Sequence, residues 1–495
     1  MGKYVLFLPV LFLFITFSSC RQSGIEQKDV AKDSANTIQV VNLDLPTIKR
    51  RGVLRAVVDN SSTGYFIYRG KPMGYEYELL QRLADDLDIH LEIKISPSIE
   101  EAFKMLNSGK VDIIAYNLSI TKERKKYATF TEYHSIERQV LVQRKPDNWR
   151  KLKWHQTENI LVRDPLDLIG KEVYVRNSSA YLSRLQNLSE ELGDDIFIVE
   201  ADKDMTTEDL IRKVAEGEID YTVADENMAK VNATYYPDID VETAVSFPQR
   251  ISWAVRKNAD SLESSINQWV RKMRKTNDYH VIYRKYFENP KYNRKWVKSD
   301  YASFSSEKLS PFDQSFKENA VKMGWDWLLL ASVAYQESRF DPNVTSWAGA
   351  HGLFQLLPET AKEYGVTNTF DPEQNIKAGA SHLKWLDEYW AERVSDSTER
   401  KKFVLASYNI GQGHILDARR LARKYGADPQ KWEDNVEKYL LLKSQQDYYQ
   451  DKVVKYGYCR GTETVAYVRE IMKLYEQYQL IYNDSSKLQR VARLD

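Results

Sequence analysis

A single glutamate, Glu337, lies in the stretch WDWLLLASVAYQESRFDP at 325–342, where residue types and spacing permit proton-transfer chemistry. The run reads as a helix stopped by Pro342, which cannot continue the hydrogen-bond ladder. Leu330, Val333, Glu337 and Phe340 recur at spacings of three and four and so share one face. A carboxyl on an apolar stripe is partly desolvated, which disfavours its charged form, raises its pKa and keeps a proton available near neutral pH. That is what a general acid requires. Taken on this helix alone, the same glutamate is better explained as a helix-end residue paired with Arg339 or solvated. Asp341 lies one turn on, beside Pro342, and reads as a cap or turn residue.

The elements that must carry this helix follow from length and pattern. A chain of 495 residues implies about three folding units at roughly 150 residues each. The composition, 42% hydrophobic and 12% aromatic, excludes a disordered or fibrous chain. Seventy-one basic residues balance 71 acidic ones, so charge gives no reason to expect a nucleic-acid partner. From Val53 to about Phe287, short β-rich runs alternate with amphipathic helices: VLRAVV at 53–58, LEIKI at 91–95, DIIAYNL at 112–118 and QVLVQ at 139–143. A second set follows, with KEVYV at 171–175, IFIVEA at 196–201 and DYTVAD at 220–225, before ISWAV at 251–255. Two α/β lobes are expected. Residues 291–309 lack a period and read as a linker, and the pattern from 310 to 484 is all-α, with a tail at 485–495. In the run KYLLLKSQQDYYQDKVVKYGY, aromatic rings can stack on sugars, but tyrosines at helical spacing are more often packed core.

The amino terminus is patterned for export. Lys3 precedes an apolar run from Tyr4 to Phe17, too short for a comfortable membrane span, which ends in Ser18, Ser19 and Cys20. This resembles the lipobox of bacterial lipoproteins and implies cleavage after residue 19, acylation of Cys20 and a membrane partner held through lipid. The alternative is an ordinary secretory signal with an incidental cysteine. Residues 20–45 read as a tether reaching roughly 25–30 Å. Cys459 is then the one remaining thiol and reads as a small core residue.

Around Glu337 lie Gln336, Ser338, Phe340 and Pro342, followed by Ser346, Gly349, Ala350, Gly352, Leu353, Gln355, Leu356 and Pro358. Further on come Asp371, Pro372, Asn375, Ile376 and Gly379, then Ser407, Tyr408, Asn409 and Gly411, and finally Glu463, Thr464, Tyr467 and Val468. These five ordered segments resemble the soluble-type lytic transglycosylases, relatives of the goose-type lysozymes. The departures are small: Phe354 stands for a common methionine and Ile410 for a common alanine, with His351 at a variable position. The resemblance implies an all-α lysozyme-like fold and cleavage of peptidoglycan glycan strands between N-acetylmuramic acid and N-acetylglucosamine. It makes Glu337 the acid, Ser346, Gln355 and Tyr467 polar contacts to the glycan, and Ser338, Tyr408 and Asn409 their companions. Leu357 takes the place where some relatives set a methionine against the sugar.

In the first lobe, Gly74, Tyr75, Glu76, Glu78 and Leu79, then Asp112 to Ile114, and Ser119, Ile120, Thr121, Glu123 and Arg124, resemble the periplasmic solute-binding proteins for polar amino acids. The implied domain is 46–290, with lobe one at 46–145 and 244–290 and lobe two at 146–243. The resemblance makes Arg124 the grip on a ligand carboxylate, as a guanidinium fork suits a planar anion, and Asp225 the partner of its amino group. The segment Ser61 to Tyr68 departs from the family's proline-bearing loop, and Tyr65 or Phe66 is expected as an aromatic wall of the pocket. An amino acid or muropeptide is the implied ligand, and regulation of the glycan groove its implied use.

One carboxylate suffices if the substrate's own N-acetyl carbonyl attacks the anomeric carbon. Glu337 would then close the muramyl C6 oxygen onto C1 and leave a 1,6-anhydro end without water. No metal or organic cofactor is expected. A hydrolytic muramidase and a catalytically inactive solute-binding lipoprotein remain as alternatives, and family resemblance points to the outer membrane.

Overall fold

A computed structural model describes residues 41–483 apart from 97, 178, 203, 204 and 298. The signal segment, Cys20 and most of the tether lie outside the described residues, as does the tail. The expected tether ends sooner than residue 45: Val41 N–H donates to Asn107 O at 3.1 Å, and the Asp44 carboxylate accepts from Leu45, Ser261 and Leu262 N–H groups. Asp44 caps the helix Leu45–Arg51, which ends at Gly52 in the left-handed conformation.

Two five-stranded sheets follow. The first runs in the order His90–Ile95, Val53–Val58, Ile113–Ile114, Ala254–Val255, Thr129–Phe130. Val53–Val58 sits parallel to both of its neighbours, which explains its nearly unbroken apolar sequence, since helices cover both faces of such a strand. The second sheet is ordered Phe197–Glu200, Glu172–Val175, Tyr221–Asp225, Gln139–Arg144, Ile239–Asp240. Here the expected lobe boundary is corrected. Gln139–Arg144 belongs to the second lobe, pairing antiparallel with Tyr221–Asp225 from Tyr221 opposite Gln143 to Asp225 opposite Gln139. The chain crosses at Ser135–Glu137, which pairs antiparallel with the returning strand Gln249–Ile251. A run such as QVLVQ, buried from end to end, fits either sheet equally well, so its pattern could not decide which one it joins.

The helical unit contains Asp313–Met323, Trp327–Ser338, Pro372–Ala391, Ser397–Ile410, Gln412–Lys424 and Gly461–Tyr482. Trp327–Ser338 is buried nearly all round, as expected of a helix without a polar face. It starts at Asp326, whose carboxylate accepts from Leu328 N–H at 3.0 Å, and stops before Pro342 because Arg339 turns left-handed (φ 56°, ψ 32°). The tyrosine-rich run is not one helix but the short pieces Glu437–Leu442 and Gln446–Tyr449 and a loop, with Tyr439 buried and Tyr456 and Tyr458 exposed. Cys459 is a buried core residue.

The expected linker is corrected as well. It carries the helix Pro290–Val297, and its Trp296 side chain is 1% exposed against Phe66, Tyr286 and Tyr292. Residues beyond it bind the hairpin Phe66–Tyr68/Lys71–Met73: Arg69 N–H donates to Tyr301 O at 3.0 Å and Ser303 N–H to Ile67 O at 2.9 Å. The hairpin turn then meets the helical unit. Tyr478 hydroxyl donates to Gly70 O at 2.7 Å, and one apolar cluster runs unbroken from Leu54 to Ile471. Scattered aromatics without a period conceal this packing in the sequence, because their partners lie hundreds of residues away.

Candidate active site and ligand cleft

Glu337 occupies the last turn of Trp327–Ser338 and is half-buried. Tyr467, on Gly461–Tyr482, donates its hydroxyl to Glu337 Oε1 at 2.5 Å. Burial pushes the Glu337 carboxyl up to about 7, and the Tyr467 hydrogen bond tempers that rise. Among the described residues no neighbouring carboxylate contributes to the shift. Tyr408, from Ser397–Ile410, is held well above the usual phenol range by burial and by the nearby Glu337 charge. Its hydroxyl donates to Phe354 O at 2.7 Å, tying the glutamate's surroundings to the loop 344–357.

That loop is built around one buried amide. Asn375, fully buried, donates from Nδ2 to His351 O at 3.0 Å and Thr369 O at 2.9 Å, and its Oδ1 accepts from Phe354 N–H at 2.8 Å. Gly352 (φ +77°) lies so close that a Cβ would sit 2.4 Å from Asn375 Nδ2, so only glycine fits there. Gln355, left-handed at φ 45°, donates from Nε2 to Val344 O at 3.1 Å and Gly352 O at 2.9 Å. Ser346 Oγ accepts from Ala350 N–H at 3.0 Å and closes a tight turn. Asn409 is exposed and accepts from Thr464 Oγ1 at 2.7 Å. Leu357 stands 47% exposed at the rim. Ser338 does not join this group: it is buried, and its hydroxyl donates to Ala334 O at 3.0 Å, as a serine inside a helix commonly does. Phe340, expected on the Glu337 face, lies beyond the helix end and packs on Tyr335 with ring centroids 5.4 Å apart.

Between the two lobes is a second site. Asp59, Tyr116, Arg124, Gln139, Tyr181 and Asp225 are among the residues that line it. Arg124 Nη1 donates to Ser119 O at 3.0 Å. Asp225 accepts from Asn117 Nδ2 at 2.8 Å, a bond that links lobe one to lobe two. Glu208 of lobe two likewise accepts from Ser62 N–H at 3.0 Å, so the lobes are closed on each other. Burial raises the Asp225 pKa, and the Tyr181 hydroxyl and Arg124 charge oppose the rise; Glu137 is raised by burial and by Asp225. Gln139 Nε2, Gln139 Oε1 and Ser179 Oγ are buried without a hydrogen-bond partner among the described residues. Arg124 and Asp225, both expected at a ligand, line this cleft, and Tyr65 does not. Tyr65 is fully buried, its ring 5.2 Å from Tyr77 in the shared core, and the aromatic walls are Tyr116 and Tyr181 instead. No local spacing links Asp59 and Tyr116 of lobe one with Tyr181 of lobe two, yet all three line this cleft.

No helix among the described residues is long and apolar enough to cross a membrane. Residues 314–431 match the transglycosylase SLT domain, and residues 54–289 match the bacterial extracellular solute-binding proteins, family 3. The chain is 24% identical to an ancestral arginine-binding protein bound to arginine, with a TM-score of 0.40 over 48% of this chain and 99% of that one. It is 36% identical over 430 residues to membrane-bound lytic murein transglycosylase F of Desulfosudis oleivorans, covering 87% of this chain and 90% of the relative. With the Pseudomonas fluorescens (strain Pf0-1) protein of the same name the identity is 32% over 477 residues, 96% of this chain and 90% of that one. The similarity to these relatives spans both the two-lobed part and the helical part, and the chain belongs to the family of membrane-bound lytic murein transglycosylase F.

Proposed function

We propose that the chain is a peptidoglycan lytic transglycosylase in which Glu337 is the sole acid and base. The observation that supports this reading is the Glu337–Tyr467 pair: a half-buried carboxyl, accepting from the Tyr467 hydroxyl at 2.5 Å and pushed up to about 7, with no carboxylate among the described residues contributing. A retaining pair would set a second carboxyl about 5–5.5 Å away, and its charge would add to the rise.

The steps follow. Protonated Glu337 donates to the oxygen bridging N-acetylmuramic acid and N-acetylglucosamine, and the muramyl N-acetyl carbonyl oxygen bonds to C1 as the bridging bond breaks. Glu337, now a carboxylate held by Tyr467, takes the C6 hydroxyl proton. The C6 oxygen bonds to C1, the acetyl oxygen leaves, and a 1,6-anhydro end forms with the glutamate reprotonated. Ser346, Gln355, Tyr408 and Asn409 frame the groove around these atoms, where orientation of the C6 oxygen decides against water.

The cleft between the lobes takes a small zwitterionic ligand, an amino acid or muropeptide, with Arg124 toward its carboxylate and Asp225 toward its amine. The ligand regulates the lyase if closed and open lobes differ in how they hold the helical unit. Cys20 carries the lipid that holds the chain to the outer membrane, facing the periplasm.

The test is digestion of sacculi by the parent chain and by Glu337→Gln with product masses read out. Ends lighter by one water than a hydrolytic product, absent from the variant, are expected. Reducing ends from the parent would mean a hydrolase, and no cleavage by a folded parent would mean a binding protein.

A further inference from the structure

The rings beside Glu337 continue away from it. Tyr408 lies with its ring centroid 5.5 Å from His382. His382 is stacked on Trp385 at 5.8 Å with the planes 14° apart, and Trp385 on Tyr389 at 6.0 Å and 30°. His382, Trp385 and Tyr389 follow one face of Pro372–Ala391 by their spacing. A file of rings inside a protein ordinarily ends in the core, yet this one reaches the surface. Trp385 is 44% exposed, while Leu383 and Leu386 beside it are fully buried. Arg393 lies over the Tyr389 end of the file, 4.1 Å from that ring's centroid, and the His382–Trp385 end carries no such cation over its rings among the described residues. Burial lowers the His382 pKa against the pull of Glu363, the ring nitrogen Nδ1 lies 3.2 Å from the Tyr364 hydroxyl, and Lys384 and Glu388 pair with each other at 4.0 Å.

We infer that His382 and Trp385 form a sugar-binding platform that takes a pyranose ring of the glycan strand at a distance from the bond broken at Glu337. The inference rests on the lyase reading above and adds a subsite to it. Continuity selects the occupant: the file starts at Tyr408, which packs beside the acid, and a strand lying over the acid must pass along one side of it. The chemistry agrees. A β-1,4-linked hexosamine keeps its polar groups around the ring edge and offers weakly positive C–H bonds on its faces, which suit the negative face of an indole. Trp385 is already oriented by rings on both sides, so little side-chain entropy remains to be lost on binding.

Binding is measured by calorimetry in the full chain carrying Glu337→Gln, so that strands are held and not cut, using peptide-free glycan strands of graded length. Trp385→Ala is expected to weaken binding of the longer strands about tenfold, the size of a lost aromatic contact, and of the shortest bound strands by less than about twofold. Trp385→Leu keeps apolar bulk without a π face and is expected to match alanine, whereas Trp385→Phe recovers most of the affinity. Equal loss at all lengths, no loss at any, or full affinity in Trp385→Leu would overturn the platform; the leucine and phenylalanine comparison decides the matter even if alanine unfolds the chain. If the parent enzyme makes no anhydro ends, the lyase reading falls. If it makes them and Trp385→Ala binds every length as well as its parent, the platform alone falls.

Discussion

The Tyr467 hydroxyl donates to Glu337 Oε1 at 2.5 Å, from a helix that begins more than a hundred residues after the glutamate. Burial pushes the carboxyl toward its neutral form and the phenol pulls it back. The balance, at about 7, suits a group that must give a proton in one step and take one in the next.

Removing the phenol shifts that balance. In Tyr467→Phe the donor to the carboxylate is lost, so the Glu337 pKa rises above about 7. The reaction needs protonated Glu337 in the free enzyme, so the alkaline limb of kcat/KM moves to higher pH. The maximal rate falls about tenfold to a hundredfold because the base form is less well held. A pH profile of anhydro-product formation checks both, and an unmoved alkaline limb would contradict the pairing.

Glu337→Gln is expected to lower turnover by at least about a thousandfold while the fold persists. Stability should move the other way. The folded pKa, about 7, lies above the ordinary value of 4.5, so the stability that Glu337 contributes is fully present below about pH 4.5 and is lost as pH rises through about 7. The variant therefore melts a few degrees above its parent near pH 8 and no higher near pH 4, as scanning calorimetry would show.

Gly70 couples the hairpin to the acid's helix. At φ +79° a Cβ would sit 2.5 Å from Tyr335 Cδ2, 2.6 Å from Phe340 Cε2 and 2.8 Å from the Tyr478 hydroxyl. Tyr335 and Phe340 flank Glu337 in sequence. Gly70→Val is expected to cost about 1–3 kcal/mol in denaturant unfolding. It should also reduce turnover on sacculi although it lies in the solute-binding part of the chain. Full activity at the parental stability would mean that the turn has no hold on the site.

In the cleft, Arg124→Ala leaves a ligand carboxylate without its counter-charge. A panel of free amino acids is screened for thermal stabilisation of the parent. Those that stabilise it are expected to bind the variant about ten- to a hundredfold more weakly, the range of a charged hydrogen bond. Undiminished stabilisation would place the carboxylate elsewhere.

Much of this protein is written locally. The alternation of short apolar runs with amphipathic helices marks the α/β lobes because strand and helix periods differ wherever one face is buried. Glu337 stands out because its neighbours are arranged in ordered segments, since the apolar stripe alone fits a helix-end residue as well, and Arg124 and Asp225 stand out by the same kind of arrangement.

Other features depend on contacts that no window of sequence contains. QVLVQ is equally apolar in either sheet, and only its register against Tyr221–Asp225 assigns it to the second lobe. Residues 291–309 look like a linker because their partners, Phe66, Ile67 and Arg69, lie far back in the chain. Tyr65 reads as a pocket wall until packing against Tyr77 turns it inward, and Ser338 reads as a site residue until its hydroxyl bonds to Ala334 O. The sequence thus determined which residue types were present to do acid–base chemistry and which segments were helix or strand, since both follow from short-range period and polarity. Only the tertiary structure decided which phenol meets the Glu337 carboxyl and how its burial is completed, because burial and hydrogen bonding are properties of the environment that distant segments build around a side chain.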